Sequence, residues 1–199
     1  MSEYLDRHKD KLKELLSKDR LQHSKSVAMV AEKLALKYGA STKKAIAAAL
    51  LHDCAKGLSD QEYFNYLAQV QGYSKIKQSE FVREKYNTLH AVVSAKFAEE
   101  YFDIEDEEIL DAIRFHTNGC SKIGILSKII YLADVIEPLR EESEDLRKVR
   151  KILEYEGINK AIIYEVKCKF KNLIKRDKKI SSDLLGMYNS IISEMEDTK

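Results

Sequence analysis

Proline and glycine are scarce in this chain, with one proline and seven glycines in 199 residues. So little turn chemistry excludes a fold of many short strands joined by tight hairpins and points to long helices. No β-rich segment alternates apolar and polar residues either, so the fold class read from the sequence is all-α, a helical bundle. Cysteine is equally sparse. Cys54, Cys120 and Cys168 are odd in number, widely spaced and without a CxxC pair, which argues against a disulfide scaffold or a zinc–thiolate site and fits a reducing cytoplasm. No apolar run reaches the roughly 18 residues that a membrane span needs. The opening MSEYLDRHKDKLKELL alternates acid and base and has no apolar signal core, so nothing in it marks the chain for export. Neither sign of charge is in excess, with 34 Lys+Arg against 33 Asp+Glu and a formal net charge of +1. That balance predicts no general attraction to nucleic acid. The expectation is a cytoplasmic protein with neither a nucleic acid nor a membrane as partner.

What the chain does have is helical periodicity. Leu5, Leu12, Leu15 and Leu16 suggest a charged first helix, and SKSVAMVAEKLALKYG puts Val27, Val30, Ala31, Leu34 and Tyr38 on one face before Gly39. Ser41 or Thr42 then caps KKAIAAALLHDCAKG, whose apolar run reads as a buried central helix closing at Gly57. SDQEYFNYLAQVQG reads as a helix with Tyr63, Leu67 and Val70 inward, and the polar SKIKQSEFVREKYNTL after it as a lid or lateral loop. Further helices are expected from Leu89, over Asp103–Phe115, and over ILSKIIYLADVIEP, which Pro138 stops. A solvated charged helix from Glu141 to Glu156 and two amphipathic segments over 158–173 and 184–195 complete the chain. The basic run KCKFKNLIKRDKK at 167–179 reads as the solvated face of a helix and its loop. With no repeat and no linker, residues 1–199 read as one domain, a core over about 18–137 with C-terminal helices 141–195 packed on it.

Only five histidines occur: His8, His23, His52, His90 and His116. His8 sits among charges and reads as solvated surface. The other four continue apolar stripes or close apolar helices: His23 four residues before Val27, His52 after AALL, His90 three before Val93, and His116 three after Ile113. Asp134 lies inside IIYLADVIEP, where a carboxylate is costly unless paired or bound to a metal. One such histidine alone is ordinarily a hydrogen-bonded core imidazole. Four of them, with Asp53 and Asp134 also inward, point instead to a metal centre of imidazoles and carboxylates suited to iron, manganese or zinc. His52 and Asp53 are neighbours, and on a regular helix they would point about 100° apart. Both reach one ion only where the helix frays or bends, or where the ion lies between their two directions.

The order His23, His52–Asp53 and, far downstream, Asp134 resembles the HD superfamily of metal-dependent phosphohydrolases, and His90 and His116 match the intervening histidines of its two-metal members. More narrowly, RLQHSKSVA, LLHDCAKG, LHAVVSA, AIRFHTNG and IIYLADVIEPLR together look like the YqeK family, a bacterial symmetrical hydrolase of diadenosine tetraphosphate with iron at its centre. The C-terminal KISSDLLGMYNSI departs from that pattern, with Ser and Leu where the family tends to carry Thr and an Arg-Asn pair.

The resemblance implies that His23, His52, Asp53 and Asp134 hold one iron, and that His90 and His116 complete a second metal position or touch phosphate. Manganese, cobalt or zinc are the expected substitutes. It implies Asp53, Lys56, His90 and His116 as catalytic residues. Substrate contacts are implied at Arg20, His23, Asp53, Cys54, Ala55, Lys56, His90, His116, Thr117, Asp134 and Arg140. The substrate would be a dinucleoside polyphosphate, the product ADP, and the assembly is expected to be a homodimer. An alternative keeps the site and changes the substrate to a nucleoside mono- or triphosphate or a cyclic dinucleotide. A purely structural ion needs four ligands, fewer than the six polar residues present.

Several side chains carry two readings each. Lys56 can meet phosphate or interact with a helix end, and Arg140 can meet phosphate or pair with Glu141, Glu142 or Glu144. Thr117 can offer its hydroxyl to phosphate or cap a helix, and Glu137 can orient an imidazole or pair with Arg140. Asp53 can be a ligand and can also orient water. Cys54 reads as inert, and the tyrosines at 63, 66, 73 and 86 as candidates to stack on adenine if 59–88 folds over the site, with Tyr63 read rather as core.

Overall fold

A computed structural model of the chain describes residues 2–72 and 88–197. Segment 73–87, which contains Tyr73, Tyr86 and most of the stretch read as a lid or lateral loop, lies outside the described residues. Ten α-helices and one 3-10 turn make up the described secondary structure, with no strand among the described residues. They are α1 (Ser2–Leu15), α2 (Lys18–Tyr38), α3 (Thr42–Leu51), the 3-10 turn Cys54–Gly57, α4 (Asp60–Gln69) and α5 (His90–Tyr101). After them come α6 (Glu107–Arg114), α7 (Ile125–Ile136), α8 (Glu144–Tyr155), α9 (Ile158–Lys175) and α10 (Ser182–Glu196). No helix among the described residues is long and apolar enough to cross a membrane.

Short polar side chains start most of these helices by accepting a backbone N–H that has no helical partner. Ser17, Ser41, Ser59, Asp106, Ser143 and Ser181 do this for α2, α3, α4, α6, α8 and α10. Two boundaries differ from the periodicity. α6 begins at Glu107 rather than Asp103, because Asp103 turns the chain with a φ of 53° and the Asp106 carboxylate takes the Glu108 and Ile109 N–H groups. The central helix ends at Leu51 rather than Gly57, and a separate tight turn carries the chain through Cys54–Gly57.

Every residue of α3 from Ala45 to Leu51 is buried. The helix is therefore apolar all round, and it packs against α2, α5, α6 and α7. α7 is nearly as buried, and α8, α9 and α10 close the core on its far side. α8 is charged but not simply solvated, since Leu146, Val149 and Leu153 are buried. His8 also departs from its expected place. It is 3% exposed, with its ring edge-on to Phe102 at 5.4 Å, because α1 lies against the C-terminal end of α5.

α1 also touches the 3-10 turn. A Cβ added at Gly57 would fall 2.1 Å from the Leu15 carbonyl oxygen and 2.9 Å from Leu15 Cγ, whereas one added at Gly124 meets nothing within 4 Å. Gly57→Ala is therefore expected to destabilise the fold by roughly 1–3 kcal/mol through overpacking against backbone. Gly124→Ala, at a φ of −74°, is expected to be neutral or slightly stabilising. Thermal unfolding of the two variants beside the parent chain checks both.

Candidate metal centre

Five elements deliver one polar cluster into this apolar core. His23 projects from the second turn of α2, His90 is the first residue of α5, His116 follows the end of α6, and Asp134 lies in the last turn of α7. The adjacent pair His52–Asp53 solves its directional problem by chain geometry. His52 caps α3 with helical angles (φ −54°, ψ −32°), and Asp53 leaves the helix (φ −111°, ψ 12°), bringing His52 Nε2 and Asp53 Oδ2 to 3.5 Å. Ser94 on α5 fixes the turn that follows, its hydroxyl accepting the Ala55 N–H at 3.1 Å and its carbonyl accepting the Cys54 thiol at 3.4 Å.

The ring nitrogens face inward. His23 Nε2 is 3.3 Å from His52 Nε2 and 3.1 Å from Asp134 Oδ1. His90 Nε2 is 3.1 Å from His116 Nε2, and Asp53 Oδ1 lies 3.4 Å and 3.7 Å from the same two nitrogens. Two groups result, His23/His52/Asp134 and His52/Asp53/His116, each with its ligand atoms within 4.8 Å of one another and with His52 in common.

The outer nitrogens of His23, His52 and His116 settle which of their atoms carry protons, whereas His90 Nδ1 is buried without a hydrogen-bond partner among the described residues. His52 Nδ1 is 2.7 Å from the Ala49 carbonyl and His116 Nδ1 is 2.7 Å from the Ile113 carbonyl. A carbonyl only accepts, so both Nδ1 atoms donate, and in the neutral rings Nε2 presents a lone pair to the centre. His23 Nδ1 is likewise 3.2 Å from Glu137 Oε1, and that carboxylate is held from behind by the Leu139 N–H at 2.7 Å. Asp53 Oδ1 is buried and accepts no hydrogen bond. Converging lone pairs beside an unsatisfied carboxylate oxygen repel one another unless a cation lies between them. This nitrogen–oxygen donor set fits a divalent metal ion.

Local electrostatics agree for His90, His116 and the carboxylates, while His23 runs the other way: burial lowers it, but its hydrogen bond to Asp134 outweighs that and raises it above the usual imidazole value. Burial pushes His116 down to about 4, with the facing His52 adding to it. Burial and then His116 and Lys56 push His90 far below the usual imidazole range. Burial opposes ionisation of Asp53, but His52, Lys56 and His116 outweigh it and hold the carboxyl well below its ordinary value. Asp134 is likewise held low against its burial, first by its hydrogen bond to His23 and then by the neighbouring His52 and Arg140 side chains. Neutral imidazoles and ionised carboxylates are the forms that ligate metal.

Three cations approach the same carboxylates. Arg20 Nη1 and Lys56 Nζ reach Asp53 Oδ2 at 3.1 Å and 2.8 Å. Arg140 pairs with the Asp134 carboxylate and donates to its backbone carbonyl at 2.9 Å. Arg140 is thus paired at the centre and not with Glu141, Glu142 or Glu144, and Glu142 pairs with Arg150. Glu137 combines both of its expected roles, since its Oε1 also lies 3.8 Å from Arg140 Nε. Thr117 Oγ1 is 3.3 Å from His90 Nε2, which places the hydroxyl at the cluster. Cys54 and Ala55 are fully buried beside Asp53, and burial pushes the Cys54 thiol far up, so it is unreactive. Tyr63 is core, and Tyr66 packs edge-on against Phe97 at 5.1 Å.

Sequence reasoning missed two supports of this cluster. Ser94 stands four residues after His90, on the same helical face, and that spacing was its signal. The other is a knot in which the half-exposed Lys169 joins the buried Tyr131 and Glu165. The Tyr131 hydroxyl bonds Glu165, and Lys169 Nζ donates to the Tyr131 oxygen at 2.9 Å and to the Thr117 carbonyl at 3.3 Å. Glu165 sits three residues after Ile162 and next to Val166 in an apolar stripe, an interruption as legible as that of Asp134.

Comparison with known proteins agrees with this architecture. The HD domain family model matches residues 20–139. The chain is 36% identical over 181 residues to a symmetrical bis(5'-nucleosyl)-tetraphosphatase of Halalkalibacterium halodurans, covering 91% of this chain and 93% of that one. It is 33% identical over 182 residues to the protein of the same description from Bacillus subtilis, covering 92% and 94%. A crystal structure from Clostridium acetobutylicum, described as a predicted HD superfamily hydrolase involved in NAD metabolism, superposes with a TM-score of 0.83 at 33% identity, covering 95% and 97%. With the ordered blocks, the helical fold and the imidazole–carboxylate cluster in agreement, the chain belongs to the YqeK family of the HD superfamily, whose members are metal-dependent phosphohydrolases of nucleotides.

Proposed function

We propose that this centre hydrolyses diadenosine tetraphosphate symmetrically to two ADP. The observation that carries the reading is the set of three cations, Arg20, Lys56 and Arg140, gathered on the carboxylates of one buried imidazole cluster. They suit a ligand with several phosphate charges, and the relatives described as symmetrical bis(5'-nucleosyl)-tetraphosphatases support the choice of substrate. His23, His52, Asp53 and Asp134 would hold one metal ion, proposed to be iron, with His90 and His116 completing a second position or meeting phosphate. Such an ion, when bound, lowers the pKa of water and draws charge from a phosphoryl oxygen.

The chain's own groups supply the rest. Water adds across the anhydride between the two inner phosphates: a new P–O bond forms on one ADP, and the other ADP leaves with the bridging oxygen. The arginine forks of Arg140 and Arg20 suit bidentate contact with phosphate, and Lys56 acts as a compact positive charge. Each would turn from its carboxylate to the substrate. Asp53 Oδ1, buried and without a hydrogen bond, can accept one from the attacking water and orient it. The Thr117 hydroxyl can donate to phosphate beside His90. Glu137 holds the His23 ring so that Nε2 faces inward.

The product assay is decisive. The protein is expected to release ADP alone from diadenosine tetraphosphate, and an ATP-plus-AMP pair would sink the reading. His52→Ala and Asp134→Ala are each expected to lose bound metal and activity together, read by elemental analysis of anaerobically purified protein beside the rate.

Lys56→Ala is expected to keep its metal content and lose about tenfold or more in kcat/KM, the scale of a charge-assisted contact.

Acid is expected to weaken the chelated protein. Below pH ~6.5 the unfolded chain takes up protons on histidine that the folded chain refuses, at His116 until about pH 4. Stability of the metal-free fold therefore falls as pH drops through that window. Thermal midpoints between pH 7 and pH 4.5 test this, and His116→Gln should flatten the slope.

A further inference from the structure

The HD domain match ends at residue 139, yet the last two helices of the chain reach back to the metal centre. Lys169 on α9 donates to the Thr117 carbonyl at 3.3 Å and to the Tyr131 oxygen at 2.9 Å, and it pairs with Glu165 at 3.3 Å. An ammonium has three donors, and here each has an acceptor. Two of those acceptors lie on different walls of the centre. Thr117 follows His116 after α6, and Tyr131 stands about one helical turn before Asp134 on α7. One side chain therefore ties the segment that carries His116 to the helix that carries Asp134.

The trio is hard to explain as a device for stability. Glu165 is 8% exposed in an apolar stripe, and a buried ion pair is seldom better for a fold than well-packed apolar residues. Burial and the adjoining Glu165 hold the Tyr131 phenol well above its ordinary value, so it keeps its proton and donates it to Glu165. Its oxygen is left to accept from Lys169, which fixes the direction of these bonds. What the trio achieves is a defined place for the ammonium at the Thr117 carbonyl.

α10 holds the other end of the same loop. Gly119 has a φ of 66° and lies so close to α10 that an added Cβ would fall 2.2 Å from Met187 Sδ. Gly186 meets Ser121 closely too, with an added Cβ 3.2 Å from the serine Cβ. The Gly119 N–H turns back to the Phe115 carbonyl at 2.8 Å. Residues 117–121 are thus held from outside at both ends. Inside, the Thr117 hydroxyl and His116 Nε2 stand 3.3 Å and 3.1 Å from His90 Nε2.

We propose that Lys169 is a positioning residue for the reaction. Through the Thr117 carbonyl it sets where the Thr117 hydroxyl and the His116 ring stand at the centre, and Glu165 and Tyr131 set Lys169. In its effect on rate, this inference rests on the diadenosine tetraphosphate reading above.

The test is Lys169→Met in the metal-loaded full-length protein, beside Lys169→Arg as the conservative variant and Glu165→Gln as a milder one. For Lys169→Met, kcat on diadenosine tetraphosphate is expected to fall about ten- to a hundredfold, with KM within about twofold of the parent. Lys169→Arg keeps the charge and several donors and should recover most of that loss. Glu165→Gln should lower kcat by less, and it carries the same measurements should Lys169→Met not fold. A rise in KM with kcat preserved would put Lys169 on the substrate and overturn the assignment. Amide hydrogen exchange without substrate is the second readout. The Gly119 N–H is expected to exchange about tenfold faster in Lys169→Met, while the Phe102 N–H, bonded to the Ala98 carbonyl at 3.2 Å, keeps the parent rate. Unchanged Gly119 exchange would overturn the assignment, as would equal acceleration of both amides, the mark of a merely less stable fold. Exchange needs no substrate. A parent protein that fails to release ADP therefore removes the substrate reading and leaves the exchange comparison to decide this one.

Discussion

Nitrogen lone pairs that point at one another are the constraint on which this molecule is organised. The Ala49 and Ile113 carbonyls commit the outer nitrogens of His52 and His116 to donating, and Glu137 does the same for His23. The inner nitrogens of His23 and His52 are then left as two acceptors facing each other at 3.3 Å. No rearrangement of protons in the neutral rings relieves this without breaking one of the outer bonds. The arrangement makes sense around a cation, and the helices are built to hold it open.

They do so by surrounding an unusually plain helix. α3 carries Ala45, Ala47, Ala48 and Ala49, all buried, so α2, α5, α6 and α7 all pack against it. Each of those four contributes, within or next to it, one polar member of the cluster. The close packing also explains why the turn after His52 needs both Ser94 and Gly57, one satisfying a buried N–H and the other admitting the Leu15 carbonyl. Support of the site and support of the core are the same contacts here.

Much of this was legible beforehand, for identifiable reasons. Histidines on apolar stripes and a carboxylate inside IIYLADVIEP are each expensive to bury, so their coincidence was informative without any coordinates. The His52–Asp53 adjacency offered a helix end or bend there as one of two ways to reach a common ion; the apolar run suggested an end at Gly57, and the helix stops at Leu51. Surface-looking positions were harder to read. His8 lies among charges yet packs against Phe102, because burial depends on where α1 docks and not on its neighbours in sequence. Within the run read as a solvated face, Arg176 is indeed exposed, but Lys169 turns in to bond the Thr117 carbonyl and the Tyr131 hydroxyl, because periodicity tells which residues share a stripe and only the tertiary arrangement tells what that stripe meets. The pairing of Arg140 with Asp134, six residues back, depends on the loop after Pro138, which has no periodic signal.

One consequence concerns the direction of the helices. His52 caps the carboxyl end of α3, His116 follows the carboxyl end of α6, and Asp134 occupies the last turn of α7. Each such end carries the negative pole of its backbone dipoles, equivalent to about half an elementary charge. Three of these poles meet around one small volume, against the single positive pole at the start of α5 where His90 stands, so on balance the backbone deepens the potential well for a positive ion. It also makes that volume hostile to a bare polyphosphate, so binding of the anion and occupation by the cation become mutually dependent.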